Sequence, residues 1–326
     1  MNKDSIKQKV QLTLQHFETL GRKVLFWRPV RSLILFARRV VLPGFDGLSL
    51  FDVSVFFIRG IQRGSITSRA SSFSFNFFLA VFPAIIFFFT IIPYIPVVHF
   101  QDTLLDLMRD FIPEKAYGAV EETLFDIVKR PRGGLLSIGF ILAMYFSTNS
   151  VDSLIESFNQ TYHTIETRSA FKQRLISLLL VLILSVLVIV AITLIIVGPI
   201  VLEFLASKNI LHDRFIVQLI IFGKWIVIVA LFFFAFSFLY YLAPAKRRQF
   251  RFISAGSTLA TVLTIVTSIG FNYYVNNFLS YNTLYGSIGT LMIVMLWIYF
   301  NAIIVLVGFE LNASIFNAKQ EWKGSK

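Results

Sequence analysis

The residues best placed to do chemistry in this sequence are few, and they recur at helical spacing. Asn149, Asp152, Glu156 and Asn159 follow one another every three or four residues, with Ser153 beside Asp152. A helix through them carries all four on one face. Such a polar face is costly against lipid and must look into a bundle, a wet cavity or the membrane interface. Glu310 is the acid at the end of a second apolar run, in Gly308-Phe309-Glu310-Leu311-Asn312, and Asn301 lies inside that run. Together Asn149, Asp152, Glu156, Asn159, Asn301, Glu310 and Asn312 are candidates for lining a polar cavity that faces the cytoplasm. The simpler alternatives are that Glu156 and Asn159 mark a helix emerging into water, and that Asn149 and Asn301 bond to neighbouring helices. An echo links the two runs: Tyr145-Phe146 precedes Glu156 by the spacing at which Tyr299-Phe300 precedes Glu310. It is read as coincidence in a chain rich in Phe and Tyr, ahead of a relic repeat.

Enzymatic signatures are missing from the pattern. The four histidines, His16, His99, His163 and His212, fall in separate polar segments with no metal-ligand spacing, and there is no cysteine. No P-loop, GxSxG or GxGxxG occurs. No catalytic residue, metal site or cofactor is therefore expected.

The elements that must position these residues follow from composition. The 326 residues are 56% hydrophobic and 15% charged, with 37 Phe, a mean hydropathy of +0.74 and a net charge of +12. This is too apolar for a soluble domain and excludes disorder. Six apolar stretches are long enough to cross a bilayer as helices: about 73–97, 135–157, 175–202, 224–242, 252–275 and 287–309. Pro83 lies within the first and predicts a kink, while Pro93 and Pro96 predict an early unwinding. Lys224-Trp225 opens the fourth as an interface anchor. Asn76, in the first, reads as a packing hydrogen bond.

Charge sets the expected orientation. Residues 1–72 hold 12 Lys/Arg against 4 Asp/Glu, loop 243–251 holds Lys246, Arg247, Arg248 and Arg251 without an acid, and the tail 318–326 is basic. Loop 98–134, with 7 acids and 5 bases, falls on the other side. The positive-inside rule then places both termini in the cytoplasm, and Lys129, Arg130 and Arg132 stand against it. The basic N-terminal segment, with amphipathic stretches at Ile6–Phe26 and Pro29–Leu42, could lie on an anionic inner leaflet or form a solvated domain. A helix is also expected at Glu114–Val128, in the loop. The charge needs no nucleic-acid partner, since no RNA-binding signature accompanies it.

Several stretches resemble one family. LYYLAPAKRRQFRFISAGSTLATVL at 239–263, Tyr285-Gly286-Ser287, Gly308-x-Glu310-Leu311-Asn312, Phe82-Pro83 and the Asn159-to-Tyr162 step look like the YihY/virulence factor BrkB-like family of bacterial inner-membrane proteins, also filed as ribonuclease BN-like. The resemblance covers residues 70 to 316. Phe309 departs from the family's usual small residue. What the resemblance implies is a six-helix inner-membrane protein of the cell envelope without a settled activity, the ribonuclease name looking like a misassignment.

The resulting expectation is an all-α membrane protein with six transmembrane helices, N-in and C-in. It comprises a basic segment 1–72, a transmembrane domain 73–317 and a tail 318–326, in a bacterial cytoplasmic membrane. The leading function is non-enzymatic, transporter-like or lipid-handling. The alternative is a membrane scaffold docking an envelope partner, and a membrane-bound ribonuclease ranks last. The expected partners are the bilayer and anionic lipids at its cytoplasmic face.

Overall fold

A computed structural model describes residues 35–42, 44–63, 65–96, 101–102, 105, 114–161, 164–165, 168–207, 214–245, 251–278 and 281–324. The amphipathic stretch Ile6–Phe26, the first part of Pro29–Leu42, loop residues 246–250 and all four histidines lie outside them. Eight helices are numbered here in chain order: α1 Leu50–Arg63, α2 Ile66–Ile91, α3 Glu114–Lys129, α4 Gly133–Asn159, α5 Ala170–Ser207, α6 Arg214–Leu242, α7 Ala255–Phe278 and α8 Tyr281–Gly324. A two-residue antiparallel pairing, Gln160–Thr161 with Thr164–Ile165, follows α4.

Six helices carry stretches long and apolar enough to cross a membrane: Ile66–Tyr94, Gly133–Asn159, Ala170–Ile195, Phe222–Leu242, Ala255–Val275 and Leu291–Gln320. The expected all-helical fold with six such stretches is what the chain forms. α2 starts seven residues before the first apolar run, because Thr67-Ser68-Arg69-Ala70-Ser71-Ser72 winds as its first turns. It runs through Pro83 without a break and tightens into a 3₁₀ turn at Ile92–Tyr94, where Pro93 removes a backbone donor. The expected loop helix is α3. The three cations that disturbed the charge pattern are each matched to an acid. Lys129 lies 2.5 Å from Asp102, Arg130 lies 3.0 Å from Asp126, and Arg132 also pairs with Asp126.

The spanning helices pack in a closed ring, α2–α4–α5–α6–α7–α8 and back to α2. α1 lies outside the ring against α8. Ser49 caps α1, accepting from the Asp52 amide at 3.1 Å and donating to its carboxylate at 2.6 Å. Val53 of α1, with Phe45 and Leu48 before it, buries against Leu311, Ile315 and Ala318 of α8. Asp46 ties the preceding loop to Lys319 at 2.5 Å and Arg251 at 2.8 Å. The segment before the first span is therefore part of the bundle at least from residue 44.

The buried core sits at one end of the ring. It joins Ile66 and Ala70 of α2, Val151 to Phe158 of α4, Leu180 and Val181 of α5, Phe236 to Tyr240 of α6 with Ala243 just after it, Ala260 of α7 and Ala302 to Phe309 of α8. At the other end α8 has no buried residue from 291 to 297. Small residues explain the tight end. A methyl on Gly256 would overlap the Gly308 carbonyl, and one on Gly308 would overlap the Tyr240 hydroxyl and the Gly256 carbonyl. Tyr240 is fully buried and donates to the Val305 carbonyl at 2.8 Å. Phe309 does not hold the helices apart: it stacks on Phe158 with centroids 4.1 Å apart, while Gly308 beside it makes the close contact.

Gly256→Val or Gly308→Val is expected to destabilise the bundle by about 1–3 kcal/mol through overpacking. The measurement is the thermal midpoint in detergent. Gly223→Val, where the added side chain meets open space, serves as the unaffected control.

Candidate functional site

The polar side chains of the tight end fall into two groups that differ in what they leave free. The first group is built around helix ends. The last carbonyls of a helix lack intrahelical partners and carry partial negative charge. Arg69, three residues into α2, reaches the end of α4 and donates to the Ser157 carbonyl at 2.6 Å. Its charge is matched from α8 by Glu310, at 3.8 Å between the Nη2 and Oε2 atoms. Arg69 is 9% exposed and Glu310 fully buried. Gly60 of α1 packs directly on the Glu310 side chain, where any Cβ would overlap the carboxylate. Four helices thus meet at one ion pair.

Two of the asparagines do the same work at other helix ends. Asn312 accepts from the Gly256 amide at 2.8 Å and donates to Ser254 Oγ at 2.9 Å, so α8 caps the start of α7. Asn159 accepts from the Ala245 amide at 3.0 Å, and Arg168 donates to the Pro244 carbonyl at 2.6 Å. These bonds hold the chain leaving α6 against the end of α4. Glu310, Asn312 and Asn159 are buried and committed to joining helices.

The second group lies on the seam between α4 and α5. Arg174 Nη1 donates to Asn149 Oδ1 at 2.6 Å and to Asp152 Oδ2 at 2.5 Å. Ser177 donates to the other Asp152 oxygen. The guanidinium lies over the Tyr145 ring, 5.5 Å from its centroid. Arg174 is 40% exposed and Asp152 21%. Glu156, one turn on, is exposed and accepts from Gln160 at 2.8 Å. Ser153, between them, contacts Ser72 of α2 at 3.2 Å. This group is accessible from the flank of the ring.

The seven residues expected to line one cavity therefore do not converge. Asn149 and Asp152 come together with Arg174, Glu156 stands exposed beside them, Glu310 pairs with Arg69, and Asn312 and Asn159 bond at other helix ends. Asn301 donates to the Trp297 carbonyl of its own helix at 2.8 Å, and Asn76 likewise to Ser72. The two echoed carboxylates lie near one level, as the Phe158–Phe309 stack shows, but Glu310 is enclosed and Glu156 is not. Trp225 is exposed with Lys224 Nζ 5.8 Å from its ring, at the start of the Phe222–Leu242 stretch. Arg69 and Arg174 are the residues that sequence reasoning missed. Their signal was a cation inside the first turns of an apolar helix, each needing a carboxylate partner. Among the described residues no group of three or more His, Asp or Glu is placed to hold a metal ion.

Comparison with known proteins agrees with this architecture. The family model for virulence factor BrkB matches residues 57–326. A Bacillus subtilis (strain 168) protein, YfkH, named as ribonuclease-like, is 30% identical over 257 residues, 78% of this chain and 91% of that protein. UPF0761 membrane proteins align over shorter stretches. That of Vibrio atlanticus is 37% identical over 94 residues, 29% of this chain and 30% of its own, and that of Pseudoalteromonas translucida 40% over 80 residues, 24% and 27%. No solved structure matches.

Arg69→Met is expected to cost about 3–5 kcal/mol, because it strands the Glu310 carboxylate in the core. Arg69→Met combined with Glu310→Leu is expected to recover most of that loss. Thermal midpoints of the two proteins in detergent check the difference.

Proposed function

The chain belongs to the virulence factor BrkB family, and from that premise we propose a non-enzymatic, transporter-like or lipid-handling role in the bacterial cytoplasmic membrane. Both termini face the cytoplasm in this reading, since the described parts of the basic segments, with Arg251 and Lys319 both paired to Asp46, adjoin the tight end of the ring. The working surface is the polar face of α4 against α5. The observation that carries the reading is Arg174, held by Asn149 and Asp152 and still 40% exposed inside an apolar stretch. An intramembrane charge of that kind is costly unless it meets polar ligands or water. The polar surface opens sideways, toward the bilayer and the near membrane face. Anionic lipids gather at that face through the surrounding basic segments. YfkH carries a ribonuclease-like name, and metal-dependent RNA cleavage by the pure protein would favour that activity instead.

The chain has no cysteine, so single cysteines report cleanly. Asn149→Cys, Asp152→Cys and Glu156→Cys are each expected to react with aqueous thiol reagents in membranes. Reconstituted protein is expected to speed exchange of a fluorescent phospholipid between leaflets, and Asp152→Asn to slow it about tenfold, the effect of losing one charge-assisted hydrogen bond. Three unreactive cysteines with no lipid exchange would overturn the proposal. Lys172→Cys labelled from the cytoplasmic side and Arg130→Cys from the other side are the results expected for this orientation.

A further inference from the structure

The seam between α4 and α5 holds a headgroup-shaped pair of charges, and we infer that it binds an aminophospholipid through its phosphoethanolamine group. The inference rests on the lipid-handling reading above and names the lipid. Arg174 uses only Nη1 for Asn149 and Asp152, so its Nε and Nη2 donors take no hydrogen bond among the described residues. Those donors lie along one edge of the fork, the geometry that grips a phosphate by two bonds. Asn149, Asp152 and the Tyr145 ring fix the guanidinium in place. Little side-chain freedom is left to lose on binding.

The second charge is Glu156. It accepts one bond, from Gln160, with its Oε1 atom and is exposed. Four residues separate it from Asp152, about 6 Å along the helix toward the end of α4. The carboxylate therefore lies on the water side of the guanidinium. A phospholipid presents its groups in that order, phosphate next to the glycerol and ammonium outermost, joined by two carbons.

The surroundings fit a lipid. Phe171 and Leu175 share the Arg174 face of α5 and are 82% and 60% exposed, and Tyr145 is 54% exposed. Acyl chains run along such a surface. The charge balance selects the zwitterion. Arg174 is paired with Asp152, Glu156 adds a second carboxylate one turn on, and Lys172, two residues back, lies on another side of α5. A purely anionic headgroup would set its phosphate beside an unmatched Glu156. A choline headgroup carries no N–H to donate to that carboxylate.

The test is native mass spectrometry of the full chain, released from nanodiscs of equal phosphatidylethanolamine, phosphatidylglycerol and phosphatidylcholine. The wild-type protein is expected to retain phosphatidylethanolamine about tenfold over the other two. Glu156→Gln, at an exposed position, is expected to abolish the preference over phosphatidylcholine while phospholipid is still retained, and Arg174→Gln to lose retention of all three. Equal retention of the three lipids, or an unchanged preference in Glu156→Gln, would overturn the inference. Soluble phosphoethanolamine that displaces the lipid at equal concentration would also overturn it, making the ligand a free phosphate ester. Lipid exchange without headgroup preference would sink this inference and spare the lipid-handling role. Preference without exchange would do the reverse.

Discussion

A cation in the first turns of the first spanning helix has to be answered, and the answer organises the tight end of the ring. Arg69 cannot reach water from its buried position. Desolvation of each buried ion costs several kcal/mol, and the mutual attraction offsets this only when further hydrogen bonds complete the shell. Glu310 supplies the opposite charge, and the Ser157 carbonyl supplies a hydrogen bond that the end of α4 was itself lacking. Gly60 lets α1 close over the carboxylate. One guanidinium thereby fixes the depth of α2, α4 and α8 relative to one another and draws α1 onto the bundle.

The rest of the packing follows the same economy of means. Between helices in lipid there is no hydrophobic drive, so association relies on close contact of small residues and on hydrogen bonds. Both are gathered at one end. Gly256, Ala260, Ala302 and Gly308 permit backbone approach there, and Asn159, Asn312 and Tyr240 bond across it. At the opposite end the seam between α2 and α4 holds through Gly139 against the Phe87 backbone and the Phe87–Phe140 ring contact. The α8 helix there presents no buried face over 291–297.

The spanning helices were legible because long apolar runs without alternation admit one structure in a membrane. α3 was legible from its amphipathic period. α1 was not: Leu50–Arg63 is too polar for a span, and its apolar face is explained only by Leu311 and Ile315, which lie some 250 residues on. Arg69 was hidden among the basic residues of the N-terminal segment, since a charge count cannot distinguish a buried cation from a solvated one. The polar stripe on α4 was read correctly as one face, but its division of labour was invisible. Whether an asparagine caps a neighbouring helix or stays open depends on where that neighbour ends, and chain spacing carries no such information. Of the partners of Lys129, Arg130 and Arg132, Asp126 was within reach in the sequence, four and six residues before Arg130 and Arg132, whereas Asp102 becomes a neighbour of Lys129 only through folding.

The contact between Gly60 and Glu310 has a consequence for descent. The carboxylate occupies the volume that a side chain at 60 would need, and its charge exists to answer Arg69. Position 60 can accept a larger residue only in a lineage where 310 has shortened, and 310 can lose its charge only where 69 has lost its own. Two neighbouring sites and a third some 240 residues on are bound into one unit of inheritance, so drift at any of them alone is closed off.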